Sequence, residues 1–188
     1  GMRHGVDTGF LVFNQRTYPN LIALFKQLDI ETTSTDMSFS VKLPLATHGS
    51  ARTLEWAGAN LNTVFAQRRN LFNPAFFRML KDIMRFNKQA TQCARSKNVA
   101  PAISLGDFLR QHQYSAEFCD WYLLPMAGCI WSCPTAQMLD FPLMSFVKFC
   151  DNHGLLQVSN RPKWGTVTGG AKHYVEKMLT VIAQKFTN

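Results

Sequence analysis

Residues 37–43 alternate strictly, with Met37, Phe39, Val41 and Leu43 set against Ser38, Ser40 and Lys42, the period-two pattern of a half-buried strand. From Leu61 the apolar period lengthens to that of helices and stays there to about residue 153. Strand-prone runs otherwise lie near the two ends, at Val6 and Phe10 to Phe13 and again at 155–158 and 164–167. A lone strand leaves its backbone N–H and C=O groups unpaired, so strands confined to the two ends of a chain must meet in space. The expected fold class is therefore α+β, a small mixed β-sheet formed by the N- and C-terminal ends with a large, mostly helical insert. The expected boundaries are sheet-containing ends at 1–60 and 154–188 and an insert over 61–153, within one domain of 188 residues.

Punctuation residues set the expected elements. Pro19 opens a helix whose apolar positions are Leu21, Leu24, Phe25 and Leu28, since proline at the first helical position loses no intrahelical bond. Residues 31–36, ETTSTD, read as a polar turn. Pro44 ends the alternating strand, and Leu54 and Trp56 return as its hairpin partner. Asn73-Pro74 caps and starts the longest helix, to about residue 97, with Phe76, Leu80, Ile83, Ala90 and Ala94 along one side. Ser104 with Asp107 forms a capping box, and Ser115 caps a helix with a kink expected at Pro125, where a backbone donor is missing. Asn152-His153-Gly154 is a helix C-terminus with Gly left-handed, 155–158 and 164–167 are short strands, and Gly169-Gly170 leads to a last helix with Tyr174, Met178, Val181, Ile182 and Phe186 inward.

Composition narrows the function classes. With 46% hydrophobic residues the chain can bury a core. Its longest apolar run falls well short of the roughly 20 residues of a membrane-spanning helix, and no signal peptide opens it, so a cytoplasmic protein is expected. Gly1-Met2 has the form of a protease scar before a start methionine, which suggests an excised piece. Five cysteines are an odd number and imply reduced thiols. Cys129 and Cys133 with Cys150 and His153 have the residue types of a zinc site, but Pro134 interrupts the helix and free cysteine is commonly a small buried hydrophobe, so no metal is expected. No G-x-G-x-x-G follows a strand, no Ser-His-Asp set stands out, and nothing argues for hydrolysis.

Residues 6–30, VDTGFLVFNQRTYPNLIALFKQLDI, resemble the segment that follows the dinucleotide-binding unit in flavin-dependent amine oxidases and their relatives, the phytoene desaturases and protoporphyrinogen oxidases. The shared pattern is Asp7-x-Gly9, then Phe10, the Tyr18-Pro19 helix start and a turn at Leu28-Asp29-Ile30, where Asp29 stands in place of the usual Gly. NLNTVFAQRRN, WYLLPMAGCIWSCP, DNHGLL and WGTVTGGAKHYVEKM extend the likeness through most of the chain, closest to a bacterial subgroup of NAD/FAD-binding amine oxidases. The resemblance implies the substrate-binding region of a FAD-dependent oxidoreductase that oxidises a C–N or C–C bond of a small apolar substrate by hydride transfer to flavin. FAD would sit on a dinucleotide fold of the same polypeptide outside this sequence, and the fragment alone would be inactive and would not retain it.

By the same resemblance, Asp7, Gly9, Phe10 and Leu11 run past the flavin ring, and Gly169 and Gly170 border the cavity. On residues alone the first is equally a β-bend and the second an ordinary strand-to-helix turn. Lys172 and His173 are alternative substrate-facing side chains, with Trp131 and Trp164 as apolar walls; surface and core positions are the plain readings of these four. A competing class comes from Arg78, Lys81, Arg85, Lys88 and Arg95, a basic stripe along the long helix in a chain of net charge +8. It reads either as a solvated face or as a non-enzymatic module for an anionic partner, nucleic acid or a membrane surface; no nucleic-acid motif accompanies it, and none is expected as a partner.

Overall fold

The computed structural model describes residues 12–45, 52–96 and 102–186. One buried asparagine sets its first turn. Asn14 closes β1 (Phe13–Asn14) and is 1% exposed; its Oδ1 accepts from Thr17 N at 2.9 Å and its carbonyl from Tyr18 N at 3.1 Å. Pro19 then opens α1 (Pro19–Gln27), as expected. The helix ends in a Schellman turn: Ile30 N donates to Phe25 O at 2.8 Å and Asp29 N to Lys26 O at 3.2 Å, with Asp29 at φ +50°. This is the backbone state that favours Gly, and Asp is among the few other residues that adopt it readily.

The chain divides into two compact units, one of residues up to Met37 together with those from Ser159, the other of Ser38–Val158. In the first unit β5 (Trp164–Val167) lies between β1 and β2 (Thr32–Thr35), antiparallel to both, with Phe13 opposite Gly165 and Thr33 opposite Thr166. The two ends of the chain therefore build one sheet within an α+β fold, and every described strand pair is antiparallel where a mixed sheet was expected. β2 occupies the segment read as a polar turn. Its residues are Thr-Thr-Ser-Thr, three of them exposed, so no apolar alternation marks it, yet β-branched threonines suit an edge strand. Phe13, Phe25 and Val167 form the core of this unit, with Tyr174 packed against it. On α8 (Lys172–Phe186), Tyr174 and Met178 are half-buried but Val181 and Ile182 are 40% and 46% exposed, contrary to the inward placement expected. A unit with one other helix and three short strands covers the early turns of a fifteen-residue helix and not the later ones.

The second unit begins with a separate hairpin, β3 (Ser40–Leu45) and β4 (Arg52–Ala57). Pro44 does not end β3; it stands opposite Thr53 in a two-stranded sheet, both strands of which are edges, where proline is tolerated. α2 (Leu61–Val64) and a 3₁₀ turn (Arg68–Phe72) lead to α3 (Pro74–Arg95), whose cap Asn73 accepts from Ala75 N at 3.1 Å. α4 (Leu105–Gln111) carries the expected capping box of Ser104 and Asp107. α7 (Leu143–Asn152) ends with Gly154 at φ +69° and Leu155 N bonded to Cys150 O at 2.9 Å. Residues 155–158 are not the strand expected; Leu155, the residue after the left-handed glycine, packs against the helical core, the apolar contact that accompanies such a helix end, and Leu156 beside it is 7% exposed within that core. Of the inward side read for α3, Phe76 and Ala90 are buried, and Met79 and Phe86 join them where Leu80, Ile83 and Ala94 are only half-buried.

Pro125 shapes the middle of this unit. α5 (Ala116–Phe118), capped by Ser115, runs through one π-helical turn (Cys119–Leu123) into α6 (Leu124–Trp131). In a regular helix the N–H of residue 125 would satisfy the carbonyl of Trp121, and proline has none. The indole Nε1 of Trp56 donates to that carbonyl at 3.2 Å, so the proline exposes an acceptor that ties β4 to the helices. Trp56→Phe is expected to cost about 2 kcal/mol by leaving the carbonyl unmet, and about 1 kcal/mol less in a Pro125→Ala background, where the new N–H can take it. Urea unfolding of the four proteins measures the coupling; equal costs in both backgrounds would show that the indole bond does not compensate for the proline.

Candidate functional site

The sequence places two glycines between a strand and a helix, and the structure builds an open cavity of about 740 Å³ against the first of them. Gly169 and Gly170 both have positive φ, +76° and +104°, and Gly170 N donates to Val167 O at 3.1 Å, closing the turn that aims α8. A Cβ on Gly169 would stand 2.6 Å from Nε2 of His173, so the close approach this glycine permits is used by the imidazole one helical turn on. Val167, Gly169 and His173 line one side of the cavity.

The other side comes from the end of α1. Asp29, Ile30 and Glu31 line it, and Lys177 Nζ donates to the Asp29 carbonyl, tying α8 to the Schellman turn. Lys177 lies four residues after His173 on the same face of α8. Two carboxylates, one ammonium and one imidazole therefore share a lining in which Ile30 and Val167 are the apolar members. Such a lining can pair with a charged group while covering an apolar one.

Of the residues the sequence singled out, Gly169 and His173 meet here. Gly170 shapes the turn without lining the cavity. Lys172 is exposed and lies 3.4 Å from Glu176 in an i,i+4 pair. Trp164 is half-buried in β5, opposite Asn14 and Thr35. Trp131 belongs to the helical unit, with its ring 4.7 Å from Phe149, 5.2 Å from Phe141 and 5.4 Å from Phe146, the packing of a core aromatic. Asp7, Gly9, Phe10 and Leu11 fall outside the described residues. Asp29, Glu31 and Lys177 were missed. Lys177 could have been found by its spacing from His173, and Asp29 by its place at the helix-ending turn after Leu28.

The cysteines and the basic stripe resolve into individual environments. Among the described residues no group of three or more His, Cys, Asp and Glu side chains could hold a metal ion. Burial pushes the Cys150 thiol up to about 12, Cys133 Sγ bonds to Met138 Sδ at 3.1 Å, and His153 Nδ1 contacts the Phe149 carbonyl at 2.9 Å. In the stripe, Arg95 makes two bonds to Asp151, at 3.0 and 3.3 Å. Arg85 reaches Asp82 at 3.0 Å and covers the Tyr114 ring at 4.0 Å, and Arg78 pairs with Glu117. Three arginines of the five-residue stripe thus serve the fold.

The chain matches no protein-family model and no curated relative.

Two outcomes follow from these contacts. Gly169→Ala should destabilise by about 1 kcal/mol through left-handed strain, and nearly the same cost should remain in a His173→Ala background, because the contact is with the far end of an exposed ring that can swing aside. A much smaller cost in the His173→Ala background would show that the ring is held in place. The Arg78 hydrogen bond holds the Glu117 carboxyl below its ordinary value of 4.5. Its contribution is present above that value and lost as pH falls through the depressed one. The gap in urea midpoint between the parent and Glu117→Gln should therefore be largest near neutrality and close as pH falls below 4.5; a gap independent of pH would locate the effect in packing.

Proposed function

We propose that this chain is the substrate-binding region of a FAD-dependent oxidoreductase of the amine oxidase type, working with a dinucleotide-binding domain of the same polypeptide in the cytoplasm. The observation that carries the proposal is the pairing of the two ends. Phe13 and Asn14, within the N-terminal stretch that carries the resemblance, pair antiparallel with Gly165 and Trp164 of WGTVTGG, which carries it at the other end of the sequence. Asp29 adds support, since the position where the family pattern has Gly is left-handed here.

The fit to a flavin is partial. The turn at Gly169 and Gly170 offers backbone free of Cβ atoms, but His173 already occupies the approach to Gly169. The cavity beside it is open, with Asp29, Glu31, His173 and Lys177 in its lining, and no phosphate-binding glycine motif occurs in the sequence. These residues suit the substrate side of such a site better than the cofactor side. When bound, the flavin would accept a hydride equivalent from the substrate. This chain would orient the substrate: Asp29 and Glu31 favour a cationic amine over a neutral polyene, and His173 can take or return a proton at the cavity wall.

The basic-module reading gains less support, because Arg78, Arg85 and Arg95 are bound to carboxylates of the same unit. Fluorescence titration of FAD with this chain alone should show weak binding or none. A polypeptide extended to include a dinucleotide-binding domain should purify yellow and bleach anaerobically with an amine substrate. A yellow, stoichiometric complex of this chain alone would overturn the division of labour proposed, and an extended polypeptide that binds no flavin would overturn the class.

A further inference from the structure

Residues 56–106 hold eight Lys and Arg and a single acid, Asp82. Asp82 is 8% exposed, bonded to Ser115 N at 2.9 Å and to Arg85, so this stretch presents almost no carboxylate to solvent. On α3 the side chains Phe77, Lys81, Met84 and Lys88 follow at i, i+4, i+7 and i+11, which places them within about 60° of one another around the axis. That face lies opposite the one carrying Phe76, Met79, Phe86 and Ala90 into the core. Phe77 is 47% and Met84 57% exposed.

The segment just before α3 continues the pattern. Leu61 is 78% and Phe72 88% exposed, and Arg68 and Arg69 lie between them in sequence. Phe65 joins the two parts, with its ring 6.0 Å from that of Phe77 and its carbonyl accepting from Arg68 at 3.0 Å. Arg68 and Arg69 bond to uncharged groups, the side chains of Asn62 and Gln67 and the carbonyls of Phe65 and Thr53. Among the described residues neither they nor Lys81 and Lys88 have a carboxylate partner.

We propose that this face docks the protein on the surface of an anionic lipid bilayer. No described helix is long and apolar enough to cross a membrane, so the attachment is peripheral. Large exposed apolar side chains interspersed along the chain with cations that have no carboxylate partner among the described residues suit the headgroup boundary, where the first insert and the second meet lipid phosphate or carboxylate. A nucleic acid would use the cations but leave Leu61, Phe72 and Met84 in water. A second copy of the chain meeting this face symmetrically would set the four cations against four like charges.

The test is cosedimentation of the whole chain with vesicles of phosphatidylcholine, alone or with roughly 30% phosphatidylserine. Binding is expected only with the anionic lipid and should weaken as salt rises. Lys81→Glu with Lys88→Glu should lower the affinity by about twentyfold or more, whereas Lys148→Glu with Lys185→Glu, an equal change of net charge on exposed lysines elsewhere, should leave it within about twofold. Phe72→Ser with Met84→Ser should lower it about tenfold without removing the salt dependence. Urea midpoints of the variants should match the parent, as all the altered side chains are exposed. Failure to bind anionic vesicles would overturn the proposal, as would equal losses from both lysine pairs. Full binding by the Phe72→Ser, Met84→Ser protein would reduce the face to a simple polyanion site, and its abolishing a concentration-dependent dimer would reassign the face to self-association; both also overturn it.

Discussion

The helical unit depends on one ring. Phe86, 1% exposed on α3, stands 5.4 Å from Phe118 on α5, 6.2 Å from Phe108 on α4 and 6.3 Å from Phe146 on α7, with Tyr114 at 5.7 Å. Aromatic contacts of this kind, edge to face or tilted, fix orientation as well as burying area. One turn earlier on the same helix, Asp82 accepts from Ser115 N and so positions the start of α5. α3 is thus both the longest helix and the post against which three others are aligned, one face through hydrocarbon and its edge through a buried carboxylate.

Cationic residues divide by chemistry. The arginines of α3 are held in place, Arg95 by two bonds to one carboxylate and Arg85 by a carboxylate and an aromatic face, uses that depend on a planar fork. The lysines, compact charges on flexible stems, remain outside these contacts. A sequence displays both as one stripe because spacing reports which face a residue occupies and not what it touches. The same limit applies to Trp131, read as an apolar wall and placed half-buried against Phe141, Phe146 and Phe149.

What could be read from residues alone was punctuation. Asn73, Ser104 and Ser115 cap helices because their side-chain oxygens satisfy first-turn N–H groups, a local effect that needs no tertiary knowledge. Gly154 and Pro125 were legible for equally local reasons. β2 was not, because a strand of exposed threonines is defined by its partner and not by its pattern. The apolar run at 155–158 has the composition of a strand, but Gly154 turns it under the end of α7. Half of the candidate site was visible as Gly169 and His173. The facing half, Asp29 and Glu31 with Lys177 bonded to the Asp29 carbonyl, depends on a pairing of segments nearly the whole chain apart.

The partnership of Phe13 with Gly165 has a consequence for how the chain is made. Residues 38–158 are continuous, and their core is assembled largely from helices close in sequence, so this unit can condense as it leaves the ribosome. β1 cannot find β5 until about 150 further residues have been synthesised, and closing that loop is cheaper when the intervening chain is already compact. The helical unit is therefore the internal spacer whose folding brings the ends within reach, and α1 must wait with Phe25 uncovered until the last strand arrives.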